Sequence, residues 1–262
     1  MVKALDKALA LLAIMAPTPE RSEWKLVELA KQTRLPLSTV HRLLNALAQR
    51  RFVERGEGGR YRLGLTLLQL GHAVWENLPL RQIAWPVMAD LARRTEDTVY
   101  LTMRDGDEGV YVEKIDSQLY LRIAEPVGFR RPLYVGASRK AMLAFLPPGE
   151  IRRIVREGAS RSLLGRRVTI QALLCELQRI REAGYAITWG ETTEGTAGVA
   201  APLIDARGWP IGAISVSGPA QRFPADRLPK LGQHVRDAAE VISGRLGYVK
   251  SPRHLPGSTA AR

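Results

Sequence analysis

The sequence predicts an α+β protein with an N-terminal winged helix-turn-helix, a linker helix and a larger C-terminal domain. Three observations lead there. In the first sixty or so residues, three runs with helical apolar spacing precede an alternating hairpin pattern around a glycine turn. Beyond residue 78, strand patterns are grouped apart from helical ones, which argues for segregated elements and not a doubly wound parallel sheet. Basic charge gathers at the N-terminal end: residues 1–62 hold 12 Lys and Arg against 6 Asp and Glu, whereas residues 78–249 hold 24 against 19. A polyanionic partner is therefore expected at that end.

The 262 residues suffice for two domains, and 45% apolar content fills two cores. No run approaches the roughly 18 apolar residues of a membrane span. Lys3, Lys7 and the short run Leu9 to Met15 do not form a leader, because Asp6 interrupts them and no small-residue cleavage site follows. The expected location is cytoplasmic. Cys175 is the only cysteine, which excludes an intrachain disulfide framework and a thiolate zinc site. His41, His72, His234 and His254 lack metal-ligand spacing, so neither metal nor cofactor is expected.

Ala4, Leu5, Ala8, Leu9, Leu12 and Met15 give the first helix its stripe, and Pro17-Thr18-Pro19 stops it. Leu26, Val27, Leu29 and Ala30 mark a short second helix. The third begins at Pro36, where a first-turn proline is harmless, and runs through Leu47. Phe52 to Arg55 and Arg60 to Leu63 flank the turn Gly56-Glu57-Gly58-Gly59 as the wing. An apolar helix follows over 64–75, broken at Asn77-Leu78-Pro79. The larger domain reads as a helix at 81–94, a meander of strands at 99–104, 109–115 and 119–125, helices at 138–146, 149–156 and 170–183, strands at 185–188, 198–205 and 210–217, and a final helix at 225–246. Boundaries are expected at 1–63 for the winged helix, 64–77 for the linker helix, 78–249 for the larger domain and 250–262 for a disordered tail with Pro252, Pro256 and Gly257.

A helix-turn-helix needs a small residue in its first helix and branched apolar anchors in its second; Ala30, Val40 and Leu43 meet that need. The turn between them calls for a residue at positive φ, ordinarily glycine, and here it is Arg34. With Val40, Leu43, Leu44 and Leu47 inward, Ser38, Thr39, Arg42 and Asn45 face outward and His41 lies at the margin. Arg42 and Asn45 are the residue types that read base edges, while Ser38 and Thr39 suit phosphates or bases. Arg60, Arg62 and Arg55 on the wing suit backbone or minor groove, as they also suit a merely solvated hairpin.

No nucleophile, base and orienter occur in a recognisable arrangement. Gly-x-Ser-x-Gly and Gly-x-Gly-x-x-Gly are absent, and the glycine turn lacks the Lys-Ser/Thr of a phosphate loop. In the larger domain Val135-Gly136-Ala137-Ser138 precedes a helix, Ser215 and Ser217 share one strand face, and Glu191 to Gly198 forms a polar loop. Together these outline a pocket. The expected function is a ligand-responsive DNA-binding transcription regulator; the alternatives are a small-molecule enzyme with an accessory helix-turn-helix, or an interaction module.

The chain resembles the IclR family of bacterial transcription regulators. The resemblance rests on Leu5-Asp6-Lys7-Ala8-Leu9, Ser38-Thr39-Val40-His41-Arg42-Leu43-Leu44, Tyr61-Arg62-Leu63-Gly64, Arg131-Pro132-Leu133-Tyr134, Lys140 to Leu146, Arg181 to Tyr185, Ala200-Ala201-Pro202 and Ile214 to Pro219. It implies a GAF-like effector-binding domain, a homodimer or homotetramer on a double-stranded operator, and repression modulated by a small organic acid. Carried over residue by residue, it makes Ile123 a pocket wall, Ala137 and Ser138 backbone donors, Ser215 and Ser217 holders of the effector's carboxylate, and Glu191 the signature acid. Thr188 stands where members binding small oxo-acids often have aspartate, and Gly198 where they often have cysteine. Both changes predict a roomier pocket for an acid larger than glyoxylate or pyruvate. Arg139, in place of the usual glycine before Lys140, is expected to add positive charge at the pocket mouth.

Overall fold

The computed structural model describes residues 3–16, 22–122, 125–159 and 169–249, and divides into two compact units, Met1–Leu78 and Pro79–Arg262. The tail expected at 250–262 and the wall residue Ile123 lie outside the described residues.

In the first unit the order is α1 (Lys3–Ile14), α2 (Leu26–Thr33), α3 (Leu37–Gln49), β1 (Val53–Arg55), β2 (Tyr61–Leu63) and α4 (Leu65–Glu76). Leu11, Met15, Leu29, Val40, Leu44, Val53 and Tyr61 meet in one buried core, with Ala30, Leu43 and Leu47 packed at its edge. The wing strands pair antiparallel from Val53↔Leu63 to Arg55↔Tyr61. Trp24 bridges to Tyr61 through two backbone hydrogen bonds of 2.9 and 2.7 Å, tying the wing to the segment before α2. The Lys25 N–H donates to the Glu28 carboxylate at 2.7 Å, one orphan donor of the helix start being satisfied locally.

Arg34 adopts the left-handed conformation, φ 56° and ψ 29°, as the turn requires. Gly64 answers a different demand. A Cβ there would stand 2.2 Å from the Arg51 carbonyl oxygen, while its N–H donates to the Phe52 carbonyl at 2.8 Å, so only a bare Cα fits where the wing returns against the chain after α3.

The second unit runs α5 (Pro79–Thr95), β3 (Thr98–Asp105), β4 (Glu108–Ile115), β5 (Arg130–Pro132), α6 (Ala137–Leu143), α7 (Pro148–Ala159), α8 (Ile170–Ala183), β6 (Ala186–Trp189), β7 (Thr196–Ile204), β8 (Pro210–Pro219) and α9 (Leu228–Arg245). The six strands form one antiparallel sheet in the order β5-β4-β3-β8-β7-β6. Alternation along the strands divides two cores. Val99, Leu101, Val199, Ala201, Ile214 and Val216 face α5 and α9, and Ala186, Ala200 and Ala213 face α6, α7 and α8. The small alanines on that second face let α6 approach the sheet closely.

The strand expected at 119–125 is not formed over its described residues. Tyr120 and Leu121 are exposed there. The outer edge of β4 is already taken: Gly128 N–H donates to Tyr111 O at 2.7 Å, Tyr111 N–H to Phe129 O at 3.0 Å, and β5 pairs with Glu108 to Val110. An edge accepts one partner, so the segment after β4 bends away and the chain supplies the edge strand ten residues later.

Candidate functional site

On the first unit, α3 turns Ser38, His41, Arg42 and Asn45 to solvent, with Thr39 half-buried beside them and Val40 and Leu44 fully inside. Residues 38, 42 and 45 are three or four apart and lie along one face. Arg60 is half-buried at the start of the returning wing strand. Arg62 is engaged within the hairpin, its Nη2 3.0 Å from Glu54 Oε2, and the Arg55 guanidinium lies 5.9 Å from the Tyr61 ring centre. The face bears side chains suited to hydrogen-bonding base edges and phosphates, at the spacing of a recognition helix.

On the second unit, a cleft opens between the sheet and the start of α6. Cross-strand register builds its floor: Thr188 pairs with Gly198 and Gly198 with Ser217, forming one row, while Tyr100 pairs with Ser215 two positions along β8, on the same face. Ala137 and Ser138 at the start of α6 form one wall, Tyr111 another, and Glu191, Thr192, Thr193 and Glu125 the rim. The Ser138 and Ser215 hydroxyls are buried and have no hydrogen-bond partner among the described residues. Since a buried polar group without a partner costs about 1–3 kcal/mol, two in one cleft are donors and acceptors held ready for something else.

The rim is latched. Glu191 Oε2 accepts from the Gly136 N–H at 2.9 Å, and Oε1 pairs with Lys140 Nζ at 2.6 Å. Lys140 is buried and also pairs with Glu176 at 2.8 Å. Thr193 Oγ1 donates to Glu125 Oε1 at 2.6 Å, and the Glu125 N–H donates to Tyr100 Oη at 3.0 Å. Burial and the neighbouring Tyr111 push the Tyr100 hydroxyl well above its ordinary range, so it stays protonated.

Residues 72–244 match the C-terminal domain of bacterial transcriptional regulator IclR, and residues 4–57 match the IclR helix-turn-helix domain. The chain belongs to the IclR family. The HTH-type transcriptional regulator KipR of Bacillus subtilis is 36% identical over 247 residues, 94% of this chain and 98% of that protein. The HTH-type transcriptional repressor AllR of Escherichia coli K12 is 31% identical over 252 residues, 95% of this chain and 92% of that protein. Among solved structures, the Thermotoga maritima IclR superposes with a TM-score of 0.72 at 29% identity, covering 95% of this chain and all of that one. An IclR homolog from Microbacterium hydrocarbonoxydans, complexed with 4-hydroxybenzoate, gives 0.75 at 26% identity over 93% and 98% of the two chains. The protein is a DNA-binding transcription regulator, and the enzyme reading finds no support among these relatives.

In this IclR-family regulator the cleft brings together Ala137, Ser138, Thr188, Glu191, Gly198, Ser215 and Ser217 from four separate segments. One expectation needs correction, the placement of Arg139. At Gly198 a Cβ would stand 3.1 Å from Ser217 Oγ and 3.6 Å from the Ala137 Cβ, so the glycine leaves open a space that a side chain would fill. The stacked rings of Tyr100 and Tyr111, 4.3 Å apart, take up the remaining space. The cavity left in the cleft is small, about 30 Å³. Arg139 is not at the mouth; it is 0% exposed. Sequence reasoning placed the 191–198 loop at the pocket but missed Tyr100, Tyr111 and Glu125. The two tyrosines read as ordinary strand formers until the register places them beside Ser215.

Proposed function

We propose that this regulator represses transcription as a homodimer, alone or paired into a tetramer, and that an organic acid bound in the cleft sets its operator affinity. The observation that carries the acid is the pair of buried, unpartnered hydroxyls of Ser138 and Ser215, beside Ser217 and the first backbone N–H groups of α6 at Ala137 and Ser138, which no helix carbonyl satisfies. These are oxyanion donors. Glu191 positions the rim by holding Gly136 and Lys140, and Thr188 and Gly198 shape the floor. The aromatic wall of Tyr100 and Tyr111 favours an acid larger than glyoxylate or pyruvate, in keeping with the 4-hydroxybenzoate carried by the Microbacterium homolog. Admitting such an acid requires the 190–195 loop to lift, which breaks the Thr193–Glu125 hydrogen bond. In a thermal-shift screen of carboxylates, aromatic and longer aliphatic acids raise Tm; stabilisation by glyoxylate or pyruvate alone contradicts the reading.

For DNA, Arg42 and Asn45 read base edges, Ser38, Thr39 and His41 position α3, and Arg60 supports it from the wing. Arg42→Ala should cost about 1–3 kcal/mol at its base pair and abolish the specific footprint while leaving the fold intact, since the side chain is exposed. An unchanged footprint refutes its role. Dimerisation is supported by α4, an apolar helix with no buried residue, on which Leu65 is 72% and Leu68 68% exposed, together with exposed Leu5 and Leu9 on α1. Sedimentation of Leu68→Glu should show a shift to monomer; a retained dimer places the interface elsewhere.

A further inference from the structure

The buried arginine of α6 has no counter-ion among the described residues. Arg139 is fully enclosed, and no carboxylate among the described residues pairs with it. Its Nε donates to the Gly109 carbonyl at 3.1 Å and its Nη1 to Tyr111 Oη at 3.4 Å, while Nη2 has no partner among the described residues. The guanidinium lies 4.5 Å from the Tyr111 ring centre and 5.7 Å from that of Phe129. Cation–π contact offsets part of the desolvation, but an isolated buried charge is otherwise among the costliest groups a protein holds. The fold makes deliberate room for it: a Cβ on Gly109 would stand 2.7 Å from Arg139 Cγ, so the glycine opens the slot in which the stem lies.

The charge sits directly behind the cleft. Tyr111, which accepts from Nη1, lines the cleft. The position of a Gly136 Cβ would be 3.6 Å from Arg139 Nη1 and 2.7 Å from Thr192 Oγ1, itself on the rim. Two carboxylates also border the cleft, but Glu191 shares the Lys140 ammonium with Glu176 and Glu125 accepts from Thr193, and neither pairs with Arg139.

We propose that Arg139 is the second anion-reading group of the pocket, so that the effector is an acid with two anionic groups. One group meets the Ser138, Ser215 and Ser217 hydroxyls; the other meets the Tyr111 end, where Tyr111, accepting from Arg139, directs its own O–H into the cleft and the guanidinium supplies the opposite charge. This rests on reading the cleft as an acid-binding pocket and adds the selectivity that reading lacks. Arg139 acts through Tyr111, as a positioning and charge-supplying residue.

The test is calorimetric titration of the full-length protein with matched probes, benzoate against benzene-1,4-dicarboxylate and butyrate against succinate. The expected result is a dicarboxylate bound about tenfold or more tighter than its monocarboxylate counterpart, the size of one close charge pair in a partly screened site. Arg139→Gln should bring that ratio near one while monocarboxylate affinity moves by no more than about threefold, and Arg139→Lys should keep part of the preference. Wild-type protein binding both members of each pair equally, or a ratio that survives Arg139→Gln, overturns the proposal while leaving the acid pocket standing. If neither acid of either pair binds, the acid pocket itself falls. Should Arg139→Gln not fold, the wild-type ratio and Arg139→Lys decide the matter.

Discussion

Arg34 holds a left-handed backbone that costs an L-residue about 1–2 kcal/mol. Glycine removes that strain but is freer in the unfolded chain, so Arg34→Gly should stabilise the first unit by about 0.5–1 kcal/mol net. Hydrogen exchange of the α3 core amides is the readout, and slower exchange is the expected direction. Gly64→Ala acts the other way. With a carbonyl oxygen 2.2 Å from the new methyl group, the strand must move, at an expected cost of about 3 kcal/mol or more and with loss of protection across the wing. Arg34 was legible from the sequence, because a turn between two short helices is a local demand, whereas Gly64 stood there only as the end of a motif and its close approach to Arg51 comes from the fold. Nor was Arg139 legible. Its burial depends on Gly109, thirty residues away, and only the fold brings the slot and the side chain together.

Among elements, those with a strong period could be read directly: α3 with its Val40 and Leu44 stripe, α8 between Thr169 and Gly184, and the β3–β4 hairpin around Gly106. Residues 119–125 misled because alternation reports a preference for extended backbone, while a strand also needs an edge, and residues 128–132 occupy it. The freed segment became part of the rim through Glu125. On α9, His234 makes a prediction. Burial, with Arg94, Lys230 and Arg227 nearby and only Asp237 in opposition, holds the imidazole below its ordinary value. The unfolded chain therefore binds a proton that the folded chain refuses, so stability is complete above about pH 6.5 and falls as pH drops through and below that value. His234→Gln should flatten the decline of Tm between pH 7 and 5 while leaving the pH 7 value nearly unchanged; an equal slope in the variant assigns the decline to other groups.

At the scale of the molecule, a recognition helix on one unit and a cleft on the other make a regulator only if the two sites are energetically linked. The chain connecting them is short, α4 ending at Glu76 and α5 beginning at Pro79. Linkage is reciprocal: an acid that lowers operator affinity by some factor must have its own affinity lowered by the same factor when operator is bound. Typical couplings of about 1–3 kcal/mol correspond to roughly 5- to 150-fold, within reach of fluorescence anisotropy on labelled operator and calorimetry of the acid with and without that DNA. Salt must be fixed in both arms, because phosphate contacts from the basic first unit make the DNA term strongly ionic-strength dependent while a buried cleft is screened far less. Equal factors in the two directions are the expected result. An acid that binds the cleft tightly and leaves operator affinity unchanged binds both states equally; that outcome separates occupancy from regulation and removes the cleft from control of DNA binding.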